Sequence, residues 1–444
     1  MRLPLSIVAI VLLGLPQLAR SQDTTRRGVT IGLTYDPSSR PGVIVLPVAG
    51  AVGDSVRKIL QRDIDYSDRF SLVPIDGADP STFRGTTPGA ELNYGLFSRL
   101  GAAAVVQATV VGASLHVALH DVAKVGVLNV GDFTLPARPN AHEWRMAIHG
   151  AADEVERWIT GQKGIAQSRI AFVDGPRIRI VDSDGEGEET TTVTGNAMSP
   201  SWSPNGGLLS YSTFGTVSRI MVYDLRTGRA RALRNATPAN ANLTPIFSPD
   251  GAAIVYAHAD DNGSDLFMVP VEDNAPARRI SVGRGTDNVQ PTFSPEGRRL
   301  AFTSGRPGHP EVYIMDADGT NAELLTSFDF GDKNYRSDPD WSPDGRLVAF
   351  QSQFADGRFQ VMTISLRDRS TKLLTSEGSN EQPSWAPDGR HLVFASTRSG
   401  LRQLWVLDTE SGRLRPVSRQ AGASLPSWSP RLGSSASPSA ASRP

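Results

Sequence analysis

The chain carries seven histidines and no cysteine, so disulfides and thiolate metal sites are excluded and any metal or acid–base chemistry must come from imidazoles and carboxylates. His142-Glu143 looks like the opening of a zinc-protease helix, in which two imidazoles one turn apart share a metal and the glutamate acts as base. The fifth position is Met146, however, and the next imidazole, His149, is seven residues on, so the pair reads as polar positions on an exposed helix face. His116 and His120 alternate opposite the apolar side of a strand and read as solvated. His258 and His309 occupy matching places in neighbouring sequence repeats; with no carboxylate arrangement beside them they read as surface residues, not a metal pair. No Gly-x-Ser-x-Gly elbow and no phosphate-cradling glycine loop occurs. Asp250, Asp344 and Asp388 recur like a repeated acid, but each sits in a turn that explains it. This inventory lends no support to an enzyme and points to a protein that works by binding.

The elements that would position a binding surface are legible from a repeat. A proline, one residue, an aromatic, Ser or Ala, and a second proline recur from Pro200, Pro245, Pro291, Pro339, Pro383 and Pro426. The aromatics Trp202, Phe247, Phe293, Trp341, Trp385 and Trp428 are spaced by 45, 46, 48, 44 and 43 residues, a period that belongs to four-stranded propeller blades and not to helical repeats. Within each period the aromatic strand is followed by a turn such as Ser342-Pro343-Asp344-Gly345, then a short apolar strand such as Leu347 to Phe350. An alternating third strand such as Val312 to Met315 and a brief fourth such as Lys372 to Leu374 complete it. Ile170 to Phe172 and Ile178 to Val181 are second and third strands with no aromatic strand before them, whereas Pro426-Ser427-Trp428 has nothing after it. Joined, they form one more blade. The expectation is a mainly β chain: a closed six-bladed β-propeller whose first blade is built from both ends, leaving no exposed sheet edge.

Ahead of the repeats the texture changes. Arg2, the apolar stretch Leu3 to Leu15 and the small residues of Ala19-Arg20-Ser21 read as a secretory signal cleaved before Gln22; thirteen apolar residues are too few to span a bilayer. Residues 22–163 read as a small α/β domain. It has an apolar run Val43 to Val48, a helix from Asp54 with Val56, Ile59, Leu60 and Ile64 on one face, and a strand at Phe70 to Pro74. A helix around Tyr94, Phe97 and Leu100 leads into a strand Ala104 to Val111, followed by a half-buried strand at Leu115, Val117 and Leu119. The last helix carries the stripe Trp144, Ala147, Ile148, Ala151, Val155, Trp158 and Ile159, with Asn140 and Glu143 as a capping box and Gly161 as its stop. Residues 164–433 are the propeller and 434–444 a Ser/Ala/Pro-rich disordered tail. A formal charge of -1 gives no sign of a nucleic-acid partner.

In a propeller the loops that enter the first strands ring the mouth of the central channel. Here they bring Ser199, Asn242, Thr244, Asn288, Gln290, Arg336, Asp338, Glu381 and Gln382 to one rim, polar and unrepeated from blade to blade, as reading one asymmetric partner requires.

The order of signal, α/β domain and six blades resembles the TolB family, the periplasmic component of the Tol-Pal envelope system. The resemblance is carried also by the helix-to-blade passage from Asp153-Glu154-Val155 to Arg169-Ile170-Ala171-Phe172 and by the closing Pro426 to Pro430. It implies a periplasmic adaptor without cofactor or catalysis that supports envelope integrity and outer-membrane constriction at division and whose surfaces colicins exploit; a closed propeller has no edge that demands a second copy, so a monomer is the default. It further implies that the rim residues just named face the lipoprotein Pal, and that the mature N-terminus binds TolA as a strand. That strand would run from Gln22 to Leu33, with Gln22, Asp23, Thr24, Val29, Ile31 and Leu33 in contact, and it would be released or sequestered according to whether the rim is occupied. Ala241 and Val289 depart from the family's polar pattern. Two alternatives stand beside this: an exported lyase-like propeller enzyme using His258 and His309, and a scaffold for a different partner.

Overall fold

The structure is a computed structural model that describes residues 40–85, 92–233, 236, 241–272, 275–282, 286–326 and 335–433. The signal, the segment Gln22 to Leu33 with its proposed contact residues, and the tail lie outside the described residues.

The N-terminal α/β region runs β1 (Gly42–Val45), α1 (Gly53–Tyr66), β2 (Ser71–Leu72), α2 (Tyr94–Arg99), β3 (Ala102–Val111), β4 (Ser114–Asp121), β5 (Gly126–Thr134) and α3 (His142–Thr160). Its sheet has the order β2-β1-β3-β4-β5, with β1 parallel to both neighbours and the remaining pairs antiparallel. Alternation sorts the side chains: Val43 and Val45 turn toward α1 and α3, where Val56, Leu60, Ile148 and Val155 meet them, while Ile44 and Val105 turn the other way onto Phe97 of α2. β5 was not legible beforehand, because an edge strand with Val127 and Val130 exposed lacks the apolar alternation that marks a half-buried strand.

The stripe expected on α3 is buried except for Ala147, which is half-buried, and Gly161 ends the helix in the left-handed conformation. The expected capping box does not form. Asn140 is itself left-handed at φ 62°, the cap position falls to Ala141, and no side chain caps the helix. A second face of α3, with Met146, His149, Gly150, Asp153 and Glu156, is buried as well. The helix lies between its own sheet and the propeller, which is why its polar residues do not reach solvent.

The propeller has six four-stranded antiparallel sheets. Blades two to six begin with the strands Asn196–Trp202, Ala241–Phe247, Asn288–Phe293, Arg336–Trp341 and Asn380–Trp385. Blade one is the split blade, in which Ser424–Trp428 pairs with Arg169–Asp174, placing Trp428 opposite Ile170 and Ser427 opposite Ala171. Two hydrogen bonds fasten the seam: the Arg169 N–H donates to the Ser429 side-chain Oγ at 2.8 Å and the Ser429 N–H to the Arg169 carbonyl at 2.8 Å. Between blades, second-strand aromatics such as Phe302, Phe350 and Phe394 are essentially inaccessible, each contributing about 2–3 kcal/mol of apolar burial.

Candidate functional site at the channel mouth

The first strand of every blade is innermost, and the six touch one another around the ring. Each carries the residue pair X-Pro just before its aromatic strand end, and at that pair the ladder with the second strand slips. The slip is a bulge, which suits proline because it has no N–H to give to a ladder. The residue X is left-handed in all six: Ser199 at φ 51°, Thr244 at 46°, Gln290 at 55°, Asp338 at 51°, Gln382 at 58° and Leu425 at 50°. None is glycine and each precedes a proline, a position that disfavours helical backbone, so each costs about 1–2 kcal/mol of local strain. The strain aims six side chains into one cavity of about 140 Å³, lined by the six triplets from Ser199-Pro200-Ser201 round to Leu425-Pro426-Ser427. A second chamber of about 340 Å³ continues the channel past the motif aromatics.

Blades satisfy one another's free inner edge. Thr244 Oγ1 accepts the Gln290 N–H at 3.1 Å, Gln290 Oε1 accepts the Asp338 N–H at 3.2 Å, and Gln382 Oε1 accepts the Leu425 N–H at 2.8 Å. One step along, Asp340 Oδ2 accepts the Trp385 N–H at 2.6 Å and Ser384 Oγ the Trp428 N–H at 3.1 Å. Two of the motif tryptophans add a stitch to the preceding blade: Trp202 Nε1 donates to the Ser427 carbonyl at 3.0 Å and Trp385 Nε1 to that of Asp340 at 3.2 Å.

The acids of the cavity lining, Asp338 and Asp340, both come from blade five. Asp338 receives Gln290 Nε2 at 2.6 Å, and Gln290 Oε1 in turn accepts Thr303 Oγ1 at 2.7 Å. Burial, and then the neighbouring Glu381 carboxylate, push Asp338 up to about 7. Burial likewise pushes Asp340 up to about 6, against the bonds it accepts from Trp385 and Thr292. The mouth therefore combines neutral amides and hydroxyls on most of its circumference with two reluctant acids on one side.

The structure separates the expected rim residues into two groups. Ser199, Thr244, Gln290, Asp338 and Gln382 line the mouth. Asn242 and Asn288 do not line it: both are fully buried, not exposed at the rim as expected. The Asn242 amide donates to the Ser218 carbonyl at 3.1 Å and its oxygen meets His258 Nδ1 at 3.0 Å; Asn288 accepts Ser304 Oγ at 2.8 Å. Asn380 repeats the arrangement, accepting Ser396 Oγ at 2.7 Å. These asparagines thus form a repeated internal pillar under a rim that was read as unrepeated. In blade five the pillar position is Arg336, which donates to Glu311 at 2.7 Å, and Glu381 is held by Arg402 at 3.0 Å.

The histidines also need correction. His116 is half exposed and paired with Asp132, but His120 is buried, between Tyr94 Oη at 2.9 Å and Gln107 at 3.1 Å. His149 is fully buried. His258 packs its ring on Phe267 and His309 meets Glu311 at 3.1 Å; neither lines the channel cavity. Asp388 does more than shape its turn, since it also accepts His391 Nδ1 at 2.7 Å.

Residues 156–432 match the model of the TolB beta propeller domain. The chain belongs to the TolB family. It is 29% identical over 425 residues to the Tol-Pal system protein TolB of Gluconobacter oxydans, covering 90% of this chain and 89% of that relative. The TolB of Bordetella pertussis is 28% identical over 186 residues, 40% of this chain and 42% of the relative. Among solved structures, TolB from Acinetobacter baumannii superposes with a TM-score of 0.74 at 22% identity, covering 89% of this chain and 98% of that one, a likeness of fold. Among the described residues of this TolB-family chain, no helix is long and apolar enough to cross a membrane.

Proposed function

We propose that this chain is a periplasmic adaptor of the Tol-Pal system, which works by binding and catalyses no reaction. Its propeller, residues 164–433, receives the lipoprotein Pal at the channel mouth, and the N-terminal segment Gln22 to Leu33 engages TolA. Acting as a monomer, it would link the outer membrane to the inner-membrane machinery during envelope maintenance and division, and colicins would compete for the same surfaces. The observation that carries the reading is the ring of six strained, left-handed residues around one cavity. Strain at six non-glycine positions around one cavity supports the reading of this ring as a binding surface. Their identities, Ser, Thr, Gln, Asp, Gln and Leu, differ while their backbone is the same, which gives one asymmetric partner a unique seat. The relatives' shared designation as Tol-Pal proteins supports the choice of partner. Removal of residues 22–33 from the mature chain is expected to abolish capture of the TolA periplasmic domain and leave Pal binding intact; undiminished TolA capture would remove that segment from the mechanism.

A further inference from the structure

Two histidines outside the channel share a geometry that the adaptor reading does not use. His149, on α3, has its Nδ1 2.7 Å from Asp63 of α1, within its own region, and its Nε2 3.7 Å from Asp182 of blade one. His391, in the second strand of blade six, has its Nδ1 2.7 Å from Asp388 of its own blade and its Nε2 3.2 Å from Asp68, which follows α1. The arrangement is reciprocal: each imidazole holds a carboxylate of its own region on Nδ1 and faces one of the other region on Nε2. We propose that His149 and His391 are a pair of imidazolium bridges that latch the N-terminal α/β region onto the propeller and fix its orientation there.

At His391 both nitrogens lie within hydrogen-bond distance of a carboxylate, which requires a proton on each; at His149 only Nδ1 does, and Nε2 sits between the Arg145 guanidinium at 3.4 Å and Asp182 at 3.7 Å. Both rings are fully buried, which opposes a charge; carboxylates outnumber arginines around His391, whereas around His149 three carboxylates face three arginines and His142. His149 faces Asp63 on α1 and Asp182 and Asp184 on blade one. Against these stand Arg145 of α3, bound to both blade-one acids at 2.8 Å, and Arg169, bound to Asp182 at 3.0 Å. Arg62 reaches Asp184 at 3.2 Å and His142 lies 3.7 Å from Asp182. His391 faces Asp388, Asp68 and, from α3, Glu156, while Arg390 holds the nearby Asp408 at 2.6 Å. Arg413 spans Asp65 and Asp68, and Arg69 pairs with Glu156 at 2.8 Å. Burial is overcome by Asp63 and Asp182 at His149, pushed up to about 10, and by Asp388 and Asp68 at His391, pushed up to about 9. The same His–Asp clusters have ligand spacing for a cation, but the arginines already bound to Asp184 and Asp408 fill that role.

The latch has a covalent counterpart. Among the described residues the chain passes between the two regions once, through Gly161 to Gly164, and Gly164 is wedged between α3 acids: a Cβ there would lie 2.4 Å from Asp153 Oδ1 and 2.6 Å from Glu156 Oε2. A crossing this short and tight leaves rotation about the linker as the motion that the two bridges oppose. Buried charge pairs of this kind add little net stability but select one arrangement among several.

The chain has no natural cysteine, so Ser98→Cys and Arg346→Cys, both exposed, place one spin label on each region of the mature protein. The label-to-label distance distribution, measured from pH 6 to pH 10, is expected to stay narrow to about pH 8 and broaden as the imidazoles lose their protons. His391→Gln keeps hydrogen-bonding capacity without charge; it should broaden the distribution at pH 7 and lose most of the response between pH 8 and 10. Distributions that stay equally narrow in both proteins throughout would overturn the latch. Should the variant fail to fold, histidine nitrogen spectra of the unaltered protein decide the matter. Two buried imidazoles protonated on both nitrogens at pH 7.5 are the expected result, and neutral rings there would refute it.

Discussion

Replacing Asp338 by Asn should make the protein more stable at pH 8, although it removes a charge from a hydrogen-bonded site. The folded carboxyl is pushed up to about 7 from an ordinary 3.8, so the native state holds a proton that the unfolded chain gives up. Such a group lowers stability as pH rises from about 4 to 7, and the loss is complete above 7. Three units correspond to about 4 kcal/mol at 1.36 kcal/mol each. Asp338 is half-buried against the channel, so relaxation and water penetration reduce this to about 2 kcal/mol. Asparagine keeps the oxygen that accepts from Gln290 Nε2 and sheds the titration. Urea unfolding of the mature chain should show the variant ahead by about 2 kcal/mol at pH 8 but by only about 0.5 kcal/mol at pH 4.5. A variant that is less stable at pH 8, or a gap that is equal at both pH values, would show that Asp338 is an ordinary ionised partner of Gln290 and refute the reasoning.

Gly164→Ala should cost about 2–3 kcal/mol in the same assay, because the new methyl displaces a carboxylate, Asp153, that accepts the Ala166 N–H at 2.7 Å and the Gln167 N–H at 3.0 Å. Trp385→Phe should be costlier than Trp341→Phe by about 1 kcal/mol: the first loses the stitch to the Asp340 carbonyl, whereas Trp341 Nε1 is buried with no hydrogen-bond partner among the described residues. The raised histidines give a further pH dependence. Their stabilisation is whole below about pH 6.5 and declines through 9 to 10, so stability should fall by up to about 1.4 kcal/mol per pH unit per histidine across that window, and His391→Gln should flatten the fall.

Much of the fold was written in the sequence, because Pro-x-aromatic-Ser-Pro states both the strand and its closing turn, and the unmatched strand sets at the two ends could only be joined to one another. The site was legible in part. Sequence placed Thr244, Gln290, Asp338 and Gln382 at the mouth but not their left-handed backbone, since a residue before proline reads as extended. Asn242 and Asn288 are polar yet fully buried, so polarity alone does not mark the rim; their recurrence with Asn380, five residues before each aromatic, is the signal of a structural role. His149 and His391 stayed invisible for another reason. Their partners lie 86 and 323 residues away in the chain, and a helix covered on two sides gives no polar face to read.

The proposed function seats Pal at the channel mouth. Calorimetry of the mature chain with the soluble domain of the Pal-like lipoprotein from the same organism, beside Thr244→Arg, decides whether it does. The substitution puts a long side chain into a cavity of about 140 Å³. Saturable binding by the unaltered protein and its loss in a folded variant is the predicted result. Equal binding by both proteins, or none by the unaltered one, would contradict it.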